Sequence, residues 1–111
     1  MQAAQACLDL PECPTALLCS NDFMALGALR LFAQKRLSVP AEMSVIGFDD
    51  IHIGEFTTPA LTTVRMSQSE LAGSVFNALK QLGTHKEGPL HLRAPISTEL
   101  VIRETTARCK S

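Results

Sequence analysis

Ser44-Val45-Ile46-Gly47-Phe48-Asp49-Asp50 is the stretch on which the fold turns. An unbroken apolar run of strand length suits a strand covered on both faces of a parallel sheet, and here it stops abruptly at two carboxylates. Upstream, Thr15-Ala16-Leu17-Leu18-Cys19 has the same character, and downstream Thr62-Thr63-Val64-Arg65-Met66 supplies a third strand. Between the first two lies a long helical stretch to about Arg36, opened by the N-cap chemistry of Ser20-Asn21-Asp22 and followed by a turn around Val39-Pro40-Ala41. Ala3 to Leu10 reads as a short helix ended by Pro11, which disfavours the α conformation before it. Ile51 to Leu61 is irregular, with Gly54 and Pro59 as breakers. Helix and strand alternate, which predicts an α/β fold with a parallel sheet and flanking helices.

Beyond the third strand, Ser67-Gln68-Ser69-Glu70 reads as a capping box, in which Ser67 and Glu70 reciprocally satisfy free amides at a helix start. The helix it opens places Leu71, Val75, Ala78, Leu79 and Leu82 on one face and stops at Gly83. After Gly88-Pro89, the segments Leu90 to Leu92 and Ile96 to Arg103 suggest a closing β-ribbon, with alternation clearest from Thr98 to Arg103.

The chain has 111 residues, enough for one domain at most, and is 46% apolar and 19% charged, which excludes a disordered chain. Its 10 Lys and Arg nearly balance 11 Asp and Glu, and a net charge of −1 argues against an autonomous nucleic-acid binder. No run approaches the ~20 apolar residues of a membrane span, and the N-terminus lacks a signal-peptide pattern, so the expected compartment is the cytoplasm. Cys7, Cys13, Cys19 and Cys109 fit neither the paired spacing of a zinc site nor a compact disulfide framework, and are read as reduced thiols.

From Phe23 to Ala33 only Arg30 is charged, so the apolar surface of this helix extends beyond the one stripe that a surface helix needs. Either the helix is deeply buried or a partner subunit covers its second side, and a domain this small offers little depth.

Ligands of an open parallel sheet bind outside the carboxyl ends of its strands. Ser20-Asn21-Asp22, Asp49-Asp50 and Met66-Ser67 all fall at that edge. Asn21 offers a donor and an acceptor and Asp49 can accept from two hydroxyls or amines, a pairing suited to a polyhydroxylated or nitrogen-rich small molecule, although both types are also ordinary turn residues. Adjacent residues leaving a strand diverge, so Asp49 and Asp50 form a poor catalytic pair. His52 has no second histidine at ligand spacing, and His85 and His91 fall in the ribbon region. Phosphate-loop, nucleophile-elbow and zinc-protease motifs are absent, so no catalytic residue, metal site or cofactor is expected.

Pro14-Thr15-Ala16, Cys19-Ser20-Asn21-Asp22, Met24-Ala25-Leu26-Gly27-Ala28, Val39-Pro40, Ser44 to Asp50, Pro59 to Arg65 and Thr98 to Glu104 together resemble, in order and spacing, the C-terminal part of a regulator of the lactose-repressor and galactose-repressor family. The resemblance runs from about Pro14 to Thr106. It implies a partial periplasmic-binding-protein-like fold of two α/β lobes that close on an effector, with the family's N-terminal helix-turn-helix absent from these residues. Residues from about 1 to 65 would belong to the distal lobe, about 66 to 98 to pieces of the proximal lobe, and about 99 to 111 to the return crossing and tail. Asn21 and Asp49 match effector-binding positions, and Met66 stands where many relatives place a polar residue. Asp22 and Asp50 are expected as caps. Leu26, Leu29, Arg30, Phe56 and Thr57 fall on dimer-interface positions, an isologous patch that would cover the apolar helix.

The leading expectation is the effector-sensing and dimerising portion of a repressor-type transcription factor, not an enzyme, that binds a sugar-like or nucleobase-like molecule. Its partners would be the effector and a second copy or a full-length regulator subunit, with DNA reached only through the missing head and no membrane involved. The alternatives are a sugar-binding protein of a transport system, a non-functional truncated fragment, and a small α/β enzyme or phosphoacceptor domain using Asp49 or Asp50.

Overall fold

The computed structural model describes residues 1–84 and 95–108. Along the chain run α1 (Gln2–Leu8), β1 (Ala16–Leu18), α2 (Asp22–Gln34), β2 (Ser44–Phe48), a 3-10 turn (His52–Phe56), β3 (Thr62–Met66), α3 (Gln68–Thr84) and β4 (Thr98–Val101). The strands form one four-stranded sheet in the order β1-β2-β3-β4. Leu17 pairs with Val45 and Gly47 with Thr63, and both of these pairings are parallel, as the alternation of strand and helix predicts. Of the expected β-ribbon, the Thr98 to Arg103 part is a strand at Thr98–Val101, whereas the Leu90 to Leu92 part, with His85 and His91, lies outside the described residues.

Two compact units divide the chain, Met1–Arg65 with Leu100–Ser111, and Met66–Glu99. The first is organised by α2, which packs on β2 and contacts α1. Ala25, Ala28, Leu31 and Phe32 recur at helical spacing, and all four are buried with Cys19, Met43, Val45 and Leu61. The small alanines let the helix approach the sheet closely, while Phe32 and Met43 fill the remaining volume. The other side of α2 stays open, since Phe23 is 72% exposed and Leu26 and Leu29 are only partly buried. The depth that would bury the whole helix is therefore absent from this unit.

Two expectations need correction. β1 is not covered on both faces: it is the sheet's edge strand, and only Leu17 turns into the core while Leu18 is 73% exposed. An apolar run signals a buried strand only when both faces have neighbours, and β1 has an inner face alone. In the second unit, the capping box closes by half. Ser67 Oγ accepts from the Glu70 amide at 3.3 Å, but the Glu70 carboxylate takes the Ser97 amide at 2.7 Å and the Ser97 hydroxyl at 3.1 Å, and the Ser67 amide donates to the Ser97 carbonyl. Ser97 outcompetes the local partner because it offers two donors at once. The apolar face of α3 exists as read, with Ala78 buried, yet Val75, Leu79 and Leu82 are exposed, as is Phe76.

Thr105 closes the first unit from the far end of the chain. Its hydroxyl accepts from the Thr62 amide and donates to the Val45 carbonyl, and its own carbonyl accepts from the Val45 amide, so one buried residue joins β2 and β3 at their amino ends.

Candidate functional site

The carboxyl ends of β1 and β2 carry Asn21 and Asp49, which the sequence singles out. Asn21 is extended (φ −155°, ψ 169°) and its Oδ1 accepts from the Met24 amide at 2.8 Å, so it is the N-cap of α2. The cap uses the side-chain oxygen and leaves the amide NH2 for another acceptor. Asp49 is exposed, with φ of 107°, a conformation that side chains other than glycine rarely adopt. Its amide donates to the Val64 carbonyl at 2.9 Å, and its carboxylate makes no hydrogen bond or ion pair among the described residues. Met66 ends β3 and is half-buried, within the second unit.

The neighbouring carboxylates, expected as caps, have other work. Asp22 is fully buried, with one oxygen accepting from the Thr63 hydroxyl at 2.6 Å and the other from the Ile51 amide at 2.8 Å. Gly47 of β2 makes room for it, because a Cβ there would collide with Asp22 Oδ1. Sequence reasoning missed this bracket, and its one signal was a glycine set inside an otherwise β-branched and aromatic run. Asp50 (φ 52°) accepts from Arg65 Nε at 2.6 Å and from Arg103 at 2.7 Å, and Arg103 also reaches Glu55 at 3.1 Å and the Leu61 carbonyl at 2.8 Å. Burial is the largest influence on the Asp50 carboxyl and pushes its pKa up, but hydrogen bonds and charge from Arg103 and Arg65 outweigh it and hold the group below its usual range.

The expected dimer residues lie on two elements. Leu26 and Leu29 are half-buried on α2 and Arg30 is exposed beside them. At the 3-10 turn, Phe56 is 71% exposed and meets the His52 ring edge-on at 5.0 Å, while the Thr57 hydroxyl donates within its own loop to the carbonyls of Gly54 and Pro59. Among the described residues no group of three His, Cys, Asp or Glu could hold a metal ion, and no helix is long and apolar enough to cross a membrane.

An open sheet with parallel central strands, polar residues gathered beyond its strand ends and a second unit inserted after β3 defines a domain of the periplasmic-binding-protein-like class, and the family described as periplasmic binding protein-like domain matches residues 1–106. The chain is 45% identical over 96 residues, covering 85% of this chain and 29% of the relative, to the HTH-type transcriptional repressor PurR of Haemophilus influenzae strain PittEE. It is 40% identical over 108 residues to the probable HTH-type transcriptional repressor ExuR of Bacillus subtilis strain 168, covering 96% of this chain and 32% of that protein. The crystal structure of a transcriptional regulator of the LacI family from "Burkhoderia phymatum" superposes with a TM-score of 0.69 at 32% identity, over 96% of this chain and 38% of that one. The chain belongs to the periplasmic-binding-protein-like domains of the LacI family of transcriptional regulators, the family its sequence resembles. These relatives are transcriptional repressors, not enzymes, and the chain spans about 30% of the length of the curated ones (29% and 32%).

Proposed function

We propose that this chain is the effector-sensing and dimerising portion of a repressor-type, DNA-binding transcriptional regulator that acts in the cytoplasm. Residues 1 to 65 serve as the distal lobe, 66 to 98 as pieces of the proximal lobe, and 99 to 111 as the return crossing and tail. The effector is a sugar-like or nucleobase-like molecule held by Asn21 and Asp49 and lined by Met66, and the regulator reads DNA through a separate helix-turn-helix head. Leu26, Leu29, Arg30, Phe56 and Thr57 meet a second copy or a full-length subunit.

The observation that carries this reading is the contrast among three carboxylates at one sheet edge. Asp22 and Asp50 are fully engaged with the protein, whereas Asp49 is exposed and without a partner among the described residues. A carboxylate left in this way, on backbone of positive φ, is arranged for something other than holding the loop together. The test uses a full-length regulator carrying these residues, screened against sugars and nucleobases for compounds that shift its melting temperature and its operator affinity. Asp49→Ala is expected to abolish the response to such a compound while operator binding without it is retained. Unchanged affinity for the compound in the variant would make Asp49 a turn residue and overturn the assignment.

A further inference from the structure

Asp22 has a role that its cap-like place in the sequence conceals. Its carboxylate is fully buried and has no cationic partner among the described residues, an arrangement that is costly unless its hydrogen bonds are well made. Both oxygens are used: Oδ2 takes the Ile51 amide at 2.8 Å and Oδ1 takes the Thr63 hydroxyl at 2.6 Å. The same Thr63 oxygen accepts the Asp50 amide at 3.3 Å, and the Asp49 amide is held by the Val64 carbonyl at 2.9 Å. Three consecutive amides of the loop after β2 are thus fixed, two of them by the Asp22–Thr63 pair. That loop contains two successive non-glycine residues at positive φ, 107° at Asp49 and 52° at Asp50, which persist only where the surroundings over-determine them. At its other side Asp22 is the residue after Asn21 and the first of α2.

We propose that Asp22, acting with Thr63, is a positioning residue that fixes the loop after β2 and so sets where the Asp49 carboxylate stands relative to Asn21. Its link to effector binding rests on the reading given above. Neither side chain needs to touch the effector, because a site residue held at an unfavourable φ is only as well placed as the hydrogen bonds behind it. Gly47 completes the device by leaving the space in which Asp22 sits. Removing the Thr63 hydroxyl while keeping its shape takes one acceptor from the loop and one donor from Asp22, so the loop relaxes while the core keeps its volume.

The test is amide hydrogen exchange followed by NMR on the 111-residue chain, comparing Thr63→Val, Thr63→Ser and Asp22→Asn. The amides of Asp50 and Ile51 are expected to exchange at least tenfold faster in Thr63→Val and Asp22→Asn, relative to the Cys19 and Lys35 amides of the same protein, which donate to Ile46 and Leu31. Thr63→Ser, which keeps the hydroxyl, is expected to restore the native ratio. An equal rise at all four amides would reduce the pair to general core stabilisation, and no change at Asp50 and Ile51 would show the loop to be held by other means. Either result overturns the proposal. Calorimetric titration with D-glucose and with hypoxanthine, comparing the chain with Asp49→Ala, addresses the effector reading separately, so that a failure there is distinguishable from a failure of the loop device.

Discussion

Asp49 carries two opposing effects at one residue. A φ of 107° costs a non-glycine residue about 1–3 kcal/mol, while glycine at the same place would lose about 0.5–1 kcal/mol more backbone entropy on folding. The strain is the larger of the two, so Asp49→Gly is expected to leave the urea midpoint unchanged or raise it by the equivalent of about 1 kcal/mol, while losing any response to the effector. A fall of more than about 1 kcal/mol would mean that the exposed carboxylate supports the loop after all. The candidate status of Asp49 was legible in sequence because a carboxylate just past a buried strand stands at the edge where such sheets bind ligands. The division of labour among its neighbours was not. Asp22 and Asp50 are the same residue type in the same kind of turn, and only contacts 41 and 53 residues away in the chain, to Thr63 and to Arg103, reveal what they do.

Elements were more legible than contacts, because periodicity is local and partnership is not. β2 and β3 occupy the residues at which the sequence places them, and α2 begins at its Asn21 cap. What the pattern could not say was which apolar faces are covered within the chain. Phe32 and Phe56 make the contrast testable, as one is fully buried under the sheet and the other is exposed on the 3-10 turn. Phe32→Ala removes a ring from the core and is expected to cost about 3–5 kcal/mol, seen as a lowered denaturation midpoint. Phe56→Ser gives up only an edge contact with His52, and its effect on stability is expected to stay within about 0.5–1 kcal/mol. In sedimentation velocity, however, Phe56→Ser is expected to weaken self-association of the chain. A native chain that sediments as a monodisperse monomer across micromolar concentrations would remove the proposed dimer face.

At the scale of the whole first unit, stability depends on segments that meet only after the chain has left and come back. Asp50 follows β2, Arg65 lies in β3, Glu55 in the 3-10 turn and Arg103 beyond β4, and they form one ion-pair network. Sequence reading had no access to it, since nothing local pairs residue 50 with residue 103. The network makes a signed prediction about acid. The Asp50 carboxyl is held below its usual range in the folded protein, because its hydrogen bonds with Arg103 and Arg65 outweigh the upward push of burial. A group depressed in this way contributes stability that is fully present above the unfolded value of about 3.9 and is lost as pH falls through the folded value. Asp50→Asn keeps the shape but not the charge, and is expected to lower stability at pH 7 by about 1.5–3 kcal/mol, the range for hydrogen bonds to charged groups. Urea denaturation at pH 7 and again near pH 3 should therefore show the gap between native protein and variant narrowing in acid. Arg103→Met separates the network from the carboxyl itself: of its two arginines Asp50 then keeps Arg65, so its folded pKa rises toward the unfolded value, and the narrowing still begins near the unfolded value but is smaller and is complete at higher pH. A gap between native protein and Asp50→Asn that stays constant down to pH 3 would place the stabilising effect in hydrogen-bond shape and not in charge, and the electrostatic account of the network would fail.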